Sequence, residues 1–296
     1  MKQVGLAMAM AIGVMGWGVE AWALDASDAE PKPDGDSEGQ DFELPPGWSL
    51  GPLTGPLGAQ SEIDVPAGFI HMNGPASMQF MESMENPRSG NEVGLVRPMK
   101  QEQAWMVLFE FEDVGFIKDD EKDELDPEEL LSSFKEGTKA GNKDRRERGW
   151  EEIEITGWQQ APRYDDETKN LVWAIKGQGL GPDGAPFVNY NVRLLGRRGY
   201  MSATVLCAPE DLNVAIKEAE ELLTGFRYTA GNTYAEYQEG DKLAEYGLMG
   251  LMVGGGAVLA FPLLRKLWFV IVAAVVGVGQ FFRKLFFGEK ISKAES

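Results

Sequence analysis

The sequence predicts an α+β domain, with an antiparallel sheet and flanking helices, followed by a C-terminal transmembrane helix or helical hairpin. Two observations predict the domain: three or four strand-like runs follow one another between residues 153 and 206, and helical patterns precede and follow them. Tight turns between consecutive strands give antiparallel pairing. A third observation predicts the anchor, since two uncharged apolar stretches lie near the end of the chain.

The first elements of the domain are predicted within residues 68–111. Residues 68–84 supply a first strand and a short helix, and further sheet follows near residues 91–97. Residues 104–111, "AWMVLFEF", are predicted as a buried or half-buried strand because nearly all of them are apolar. The chain therefore begins its sheet before the first long helix.

The stretch "DPEELLSSFKEG" opens the longest predicted helix. Asp126 suits the N-cap and Pro127 suits the first helical position, and the two glutamates that follow interact favourably with the helix dipole. We expect this helix to run to about Arg148 and to stop at Gly149.

The remaining elements are a group of strands and one amphipathic helix. The strands are predicted at residues 153–159, 171–176, 187–195 and 200–206. Pro209 opens the helix and Gly225 closes it. Its apolar face consists of Leu212, Ala215, Ile216, Ala219, Leu222, Leu223 and Phe226. The order of elements is therefore helix, antiparallel strands, helix.

Both ends of the chain carry segments that are expected to lie outside the domain. Residues 1–23 match a secretory signal peptide, with an apolar run and small residues before a cut after Ala23. Residues 24–47 are predicted to be a disordered acidic linker, since Asp, Glu, Pro, Ser and Gly dominate there. The exported α+β domain is expected at residues 48–235 and a membrane anchor with a basic tail at residues 236–296.

The anchor contains two apolar segments, residues 248–264 and 267–282. Each has a helical length of about 24–26 Å, a little short of a bilayer core. A two-helix hairpin is the preferred interpretation, and small residues four apart in both segments suit close helix contact or self-association. The basic pair Arg283 and Lys284 favours a single span at 267–282, which would leave these residues inside. Both topologies stay open at this stage.

The charge distribution excludes nucleic acid as a partner. The 296-residue chain has a formal net charge of −19, and residues 24–245 carry 21 basic against 44 acidic groups. A domain this acidic repels a phosphate backbone. The anchor predicts the lipid bilayer as a partner, with an envelope protein or a second copy of the chain as further partners.

No cofactor, metal ligand or catalytic residue is assigned. Cys207 and His71 are the only cysteine and the only histidine, so a thiol–imidazole pair would need them adjacent in space. Residues 179–184, "GLGPDG", match a dinucleotide-binding pattern, but a strand follows, which indicates a hairpin loop. The basic stretch at 142–150 is expected to pair with nearby acids, with an acidic partner or anionic headgroups as the alternative.

One polar row is the candidate recognition surface. Strand alternation within residues 189–200 places Asn189, Asn191 and Arg193 on the face opposite Tyr190. This row is predicted either to recognise a partner or to form an ordinary solvent-facing side of the sheet. The residues proposed for the surface are Tyr164, Asp165, Trp173, Asn189, Asn191, Arg193 and Arg197.

Three stretches together carry a family resemblance. "APRYDDETKNLVWA", "NYNVRLLGRRGY" and "YQEGDKLAEYGLMGLMVGG" resemble the bacterial family called domain of unknown function 2167, described as uncharacterised membrane-anchored proteins. The similarity covers roughly residues 48–256. The resemblance implies export and anchoring, and it implies no activity, cofactor or functional residue.

Three functions are compatible with the sequence. The first is a binding or assembly module that acts from the periplasmic side of the bacterial inner membrane. The second is a carboxylate-dependent hydrolase of the envelope, built around Asp165 with Tyr164 and Arg193, which requires a buried acid with a shifted pKa in a cleft. The third is a role within the membrane, with the hairpin self-associating through its glycines.

Overall fold

The computed structural model describes residues 44–100, 103–119, 122, 125–182 and 184–253. These residues form an α+β domain in which antiparallel sheet predominates, as predicted. Its elements are β1 (Trp48–Leu50), β2 (Leu53–Leu57), β3 (Ser61–Val65), β4 (Phe69–Asn73), α1 (Gly74–Ser83), β5 (Glu92–Pro98), β6 (Met106–Glu112), α2 (Pro127–Glu147), β7 (Ile153–Asp165), β8 (Asn170–Gly179), β9 (Pro186–Leu195), β10 (Tyr200–Cys207), α3 (Leu212–Leu223), β11 (Phe226–Tyr228) and α4 (Leu248–Val253).

Two antiparallel sheets organise the domain. The larger sheet has eight strands in the order β1-β4-β5-β6-β10-β9-β8-β7, and the smaller one has the order β11-β3-β2. Strands β7 to β10 are joined as consecutive hairpins, in agreement with the sequence prediction. The smaller sheet and β1 were not predicted.

The first face of the larger sheet is apolar. Alternate residues of β6, β8, β9 and β10, such as Val107, Val192 and Ala203, point to this face. Helix α3 packs on it with Leu212, and the small sheet packs beside the helix. This arrangement places the largest hydrophobic cluster of the described residues between the sheet and these two elements.

The second face is covered by the other helices. Helix α1 packs over β4, β5 and β6 with an apolar cluster that includes Met81. Helices α2 and α4 pack over β7, β8 and β9 in a second cluster that includes Phe134 and Trp173. Polar side chains of the central strands lie between the two clusters, and they form the candidate site described below.

Helix α2 forms where its capping signals predict. The Asp126 carboxylate accepts hydrogen bonds from the backbone N–H groups of Glu128 and Glu129 at 2.9 and 3.2 Å. Pro127 occupies the first turn. The helix ends at Glu147, and Gly149 follows with a φ of +74°, a left-handed conformation that glycine adopts without strain.

The packed domain continues beyond residue 235, where the sequence placed its end. Leu248, Leu251 and Met252 of α4 have no exposed surface and belong to the same cluster as Phe134 of α2. The start of the apolar segment 248–264 therefore supplies core residues to the domain. Hydropathy alone assigned them to the anchor because buried core and membrane segments are equally apolar.

Several predicted segments lie outside the described residues. They are the signal peptide at 1–23, nearly all of the linker at 24–47, residues 254–264 of the first apolar segment, and the second segment at 267–282. Across the part of the chain that the structure describes, no helix has both the length and the apolar character needed to cross a membrane.

Candidate functional site

A row of polar side chains crosses the second face of the large sheet. Strand register places Glu92 of β5 opposite Glu110 of β6, Glu110 opposite Ser202 of β10, and Ser202 opposite Arg193 of β9. Residues directly opposite one another in antiparallel strands project to the same side of the sheet. We call the group the polar strip; it comprises Glu92, Glu110, Glu112, Asn189, Asn191, Arg193, Ser202 and Thr204.

Six of the eight strip residues are buried, and Glu110 and Glu112 are half-buried. Asn189, Asn191 and Arg193 expose 2%, 7% and 5% of their surface. The predicted alternation is correct, because Tyr190 lies on the first face, but both predicted environments assumed an open face. The correction has a simple cause: α1 covers one side of the second face, and α2 and α4 cover the other.

Arg193 is the cation of the strip. Its Nη1 donates to Ser202 Oγ at 2.6 Å, and its guanidinium lies 4.7 Å from the Trp173 ring centre and 5.7 Å from that of Tyr200. Its Nε is buried and has no hydrogen-bond partner among the described residues. Burial lowers the pKa of Arg193, while Glu110 and Glu112 act in the opposite direction. The two aromatic faces thus replace part of the electrostatic stabilisation that water would give this cation.

Glu110 and Glu112 are the carboxylates that interact electrostatically with Arg193. Glu110 accepts a hydrogen bond from Ser89 Oγ at 2.6 Å, and Glu112 accepts one from Asn91 Nδ2 at 2.9 Å. Burial raises the pKa of Glu110 to about 7 and raises that of Glu112 as well. Glu110 is therefore close to half-protonated near neutral pH.

Glu92 is the most deeply buried acid of the strip. Its carboxylate accepts two backbone hydrogen bonds, from Ser89 N and Gly90 N, both at 2.7 Å. The segment before β5 thus holds all three strip carboxylates, since Ser89 and Asn91 also bind Glu110 and Glu112. Sequence reasoning missed these acids; the alternation of Glu110 and Glu112 within the apolar strand β6 is the signal that could have found them.

Asn191 and Thr204 extend the network along the strip. Thr204 Oγ1 donates to Asn191 Oδ1 at 3.2 Å, and Asn191 Nδ2 donates to the carbonyl of Asn189 at 3.0 Å. Trp173 lies directly opposite Asn191 on β8 and under the guanidinium of Arg193. The structure therefore brings four of the seven predicted surface residues together, in a buried setting.

Tyr164 and Asp165 lie apart from this group. The Tyr164 hydroxyl donates to Asp119 at 3.0 Å, and Tyr164 stands two strands from Arg193, about 10 Å across the sheet. Asp165 accepts the backbone N–H groups of Glu167 and Thr168, both at 2.9 Å, and so closes the β7–β8 turn. These hydrogen bonds lower the pKa of Asp165. The predicted catalytic group of Asp165, Tyr164 and Arg193 does not assemble.

Arg197 lies at a second place, a cleft beside the β9–β10 turn. Its guanidinium binds both carboxylate oxygens of Asp241, at 2.7 and 2.9 Å. The cleft has a volume of about 320 Å³. We call it the C-terminal cleft; it is lined by Asp113, Gly115, Arg197, Arg198, Gly231, Asp241 and Lys242.

The wall of the C-terminal cleft is fixed to the domain. Phe116 stacks between Tyr234 and Tyr237, with ring centres 4.5 and 4.2 Å away. Phe116 N donates to the carbonyl of Lys242 at 2.8 Å, and Ala244 N donates to the carbonyl of Phe116 at 2.9 Å. The segment leading to α4 is therefore held by both aromatic contacts and backbone hydrogen bonds.

The lone thiol and the lone imidazole do not form a pair. His71 is on β4 and Cys207 is on β10, three strands away, so their backbones are separated by about 14 Å across the sheet. Both side chains are buried, and burial raises the pKa of the Cys207 thiol to about 12. Cys207 is therefore a core residue whose thiol is unreactive.

Two other motifs have the structural roles that the sequence indicated. The "GLGPDG" stretch at 179–184 joins β8 to β9 in an antiparallel hairpin, so no helix follows it to hold a pyrophosphate. In the basic stretch at 142–150, Arg146 pairs with Glu152 and Arg148 pairs with Asp144. The cations of this stretch are thus balanced by neighbouring acids.

The fold and the strip define an α+β domain with a buried charged network on one sheet face. The family model described as "Protein of unknown function (DUF2167)" matches residues 51–281. The chain belongs to this family, which confirms the resemblance found in its sequence. No curated protein matches the chain.

One solved structure shows a distant likeness. It is the solution structure of cyanobacterial PsbP (CyanoP) from Synechocystis sp. PCC 6803, at 11% sequence identity. The match covers 57% of this chain and 86% of that one, with a TM-score of 0.35.

Proposed function

We propose that this chain is a membrane-anchored protein of the bacterial envelope. Its exported domain works as a binding or assembly module from the periplasmic side of the inner membrane. The apolar stretch at 267–282 and the signal-peptide pattern at 1–23 support anchoring and export. One structural observation shapes the proposal further, namely the burial of α4 in the domain.

The burial of α4 favours a single crossing over a hairpin. With 248–253 packed in the domain, only 11 residues of the first apolar segment remain, at 254–264. As a helix they would reach about 16 Å, roughly half of a bilayer core of about 30 Å. A single span at 267–282 also leaves the basic tail inside, where positive charge is preferred.

The segment that leads to α4 is fixed to the domain. Leu251 is fully buried, and Phe116 and Arg197 hold the segment that precedes α4. The chain therefore continues towards the proposed span from one fixed place on the domain.

Protease protection tests the proposal. One epitope tag is inserted in the linker after Gly39 and another after Ser296, and spheroplasts are treated with protease. We expect digestion of the linker tag and protection of the C-terminal tag until the cells are lysed. Digestion of both tags would support the hairpin instead, and protection of the linker tag would contradict export. Known periplasmic and cytoplasmic proteins serve as controls.

A carboxylate-dependent hydrolase is the second candidate, and Glu110 is the observation that favours it. Its raised pKa and the nearby Arg193 are features found at acid–base centres. The acid of this candidate is thus Glu110 rather than Asp165. A panel of chromogenic esters, phosphodiesters and glycosides tests it: turnover by the full chain that Glu110→Gln abolishes supports the hydrolase, and no turnover leaves the binding module as the function.

A further inference from the structure

We infer that the C-terminal cleft binds the phosphate-bearing headgroup of an anionic lipid in the leaflet that holds the anchor. The inference rests on the membrane anchoring proposed above and adds a site and a ligand class to it. Charge, exposed apolar side chains and position in the chain each support it.

The C-terminal cleft differs in charge from the rest of the domain. Two carboxylates and three cations line the cleft, which gives it a net charge of +1 within a strongly acidic domain. Arg197 is neutralised by Asp241, whereas Lys242 forms no ion pair with a carboxylate among the described residues. Arg198 pairs with Asp113, and its side chain is 61% exposed at the rim. An anionic leaflet would repel most of this domain and attract this cleft.

The basic stretch at residues 142–150 differs from the cleft because all of its cations are paired or buried. Within residues 142–150, Lys143 pairs with Glu147, Arg148 with Asp144, and Arg146 with an acid of the following segment. Arg145 is buried and donates to backbone carbonyls. This stretch therefore has no uncommitted cation to offer a headgroup, although its sequence is more basic than that of the cleft.

Exposed apolar side chains lie beside the cleft. Leu243 and Tyr237 expose 44% and 37% of their surface, and both belong to the short group of large hydrophobic residues that the described structure leaves exposed. Leu243 follows the cleft residue Lys242 directly. A tyrosine and an aliphatic side chain next to a lysine that has no carboxylate partner among the described residues are a combination that favours the membrane interface.

The cleft is separated from the proposed membrane span by a short length of chain. Only five residues separate Lys242 from α4, and 13 residues, 254–266, separate α4 from the proposed span. Thirteen residues extend at most about 45 Å and reach about 20 Å as a helix. The headgroup layer is therefore within reach of the cleft, and the short connection to the proposed span limits the loop-closure entropy that a contact must overcome.

The cleft is also pre-organised. The bidentate Arg197–Asp241 pair and the hydrogen bonds of Phe116 to Lys242 and Ala244 fix its walls. A Cβ at Gly115 would lie 2.7 Å from the Lys242 carbonyl, so glycine is required for this close approach. A volume of about 320 Å³ is enough for a phosphate group with a small polar substituent.

Hydrogen exchange in nanodiscs tests the inference with the full chain. The protein is placed in discs of phosphatidylcholine alone or of phosphatidylcholine with phosphatidylglycerol. We expect exchange at residues 113–117 and 237–244 to be about fivefold slower in the anionic discs. Lys242→Glu should abolish this difference, and Lys242→Gln should reduce it without introducing a new negative charge. Lys217→Glu, on exposed α3, is the matched control and should leave it unchanged.

Other outcomes separate the alternatives. Equal protection in both lipids, or loss of protection in the Lys217→Glu control, would overturn the headgroup site. Protection by glycerol phosphate in neutral discs, with no further effect of phosphatidylglycerol, would assign the cleft to a free phosphate ester and overturn the lipid source. Release of the chain from membranes by alkaline carbonate would show that the anchoring itself fails, whatever the cleft binds.

Discussion

The two faces of the large sheet are both buried, but they bury different chemistry. On the first face, Phe109, Ala203 and Val192 lie side by side across three strands, under α3 and the small sheet. On the second face, one residue along each strand, the corresponding row contains Ser202 and Arg193 and continues to acids. Alternation in sequence therefore tells which residues share a face, but it does not tell which face meets water.

The difference has an energetic meaning. The first face gains stability from apolar burial, roughly 25 cal/mol per Å² removed from water. The second face must keep its polar groups satisfied, because a buried group without a partner costs about 1–3 kcal/mol. Its charged network contributes little net stability for the same area. Groups with shifted pKa values, such as Glu110, are found on this second face.

The largest expected effect comes from removing the buried cation. Arg193→Ala should lower the free energy of unfolding by about 3 kcal/mol or more, because Glu110 and Glu112 lose the charge that favours their ionised forms. Val192→Ala, its neighbour on the first face, should cost about 1–2.5 kcal/mol through lost packing. Urea unfolding measures both variants. If Val192→Ala proves the more costly change, the second face does not depend on its cation.

The next effect concerns the helix that covers the second face. Leu251→Ala should destabilise the domain by about 2–4 kcal/mol, because a fully buried leucine leaves a cavity. Leu259→Ala, in the same apolar stretch but beyond the described residues, is the matched control and should have little effect on domain unfolding. Thermal unfolding followed by near-UV circular dichroism checks this. Equal effects of the two variants would contradict the single-span proposal.

A smaller effect is expected from pH. The pKa of Glu110 is raised to about 7 in the folded state from an ordinary value of 4.5, so folding favours its protonated form. Its contribution is therefore complete below pH 4.5 and is lost as the pH rises towards 7 and above. Since Glu110 is only partly shielded from solvent, we expect a loss on the order of 1–2 kcal/mol.

Glu110→Gln isolates this contribution. The variant should be more stable than the unmodified chain at pH 8 and should lack the decline between pH 4.5 and 8. The exposed Glu221→Gln on α3 should keep the pH profile of the parent chain. Denaturant midpoints measured across this range decide the matter: an unchanged profile in Glu110→Gln would mean that another group causes the dependence.

The sequence predicted the elements of both faces better than their surroundings. Asp126, Pro127 and Gly149 bound α2 through local capping chemistry, so a short window of sequence suffices. The small sheet was missed because β2 contains glycine and proline, β11 has three residues, and β3 pairs with a strand more than 160 residues away. Such pairing has no local signal.

The polar strip was only half predictable for the same reason. Asn191 and Arg193 were chosen from strand alternation within β9, a local pattern. Glu92 and Glu110 join them only through strand register between segments about 100 residues apart. The burial of Asn191 and Arg193 depends in addition on the helices over β7, β8 and β9, among them α4, whose apolar residues could equally have been membrane residues. A site assembled from several strands requires the tertiary structure.

The smallest expected effect lies beside the β9–β10 turn, where the C-terminal segment packs against the domain. Arg197→Gln removes the bidentate contact with Asp241, whose pKa this guanidinium lowers to about 2. Because both side chains reach solvent, global stability should hardly change, while amide exchange at residues 238–244 should become faster. In the parent chain this segment should stay protected from pH 8 down to about pH 3, since Asp241 remains ionised there.

Arg227→Gln provides the control for this change. Arg227 forms a comparable exposed pair with Glu62 and Asp64 on the small sheet, and it makes no ion pair with the C-terminal segment among the described residues. Its loss should leave exchange at residues 238–244 unaltered. If Arg197→Gln also leaves that exchange unaltered, the aromatic contacts of Phe116 alone hold the segment.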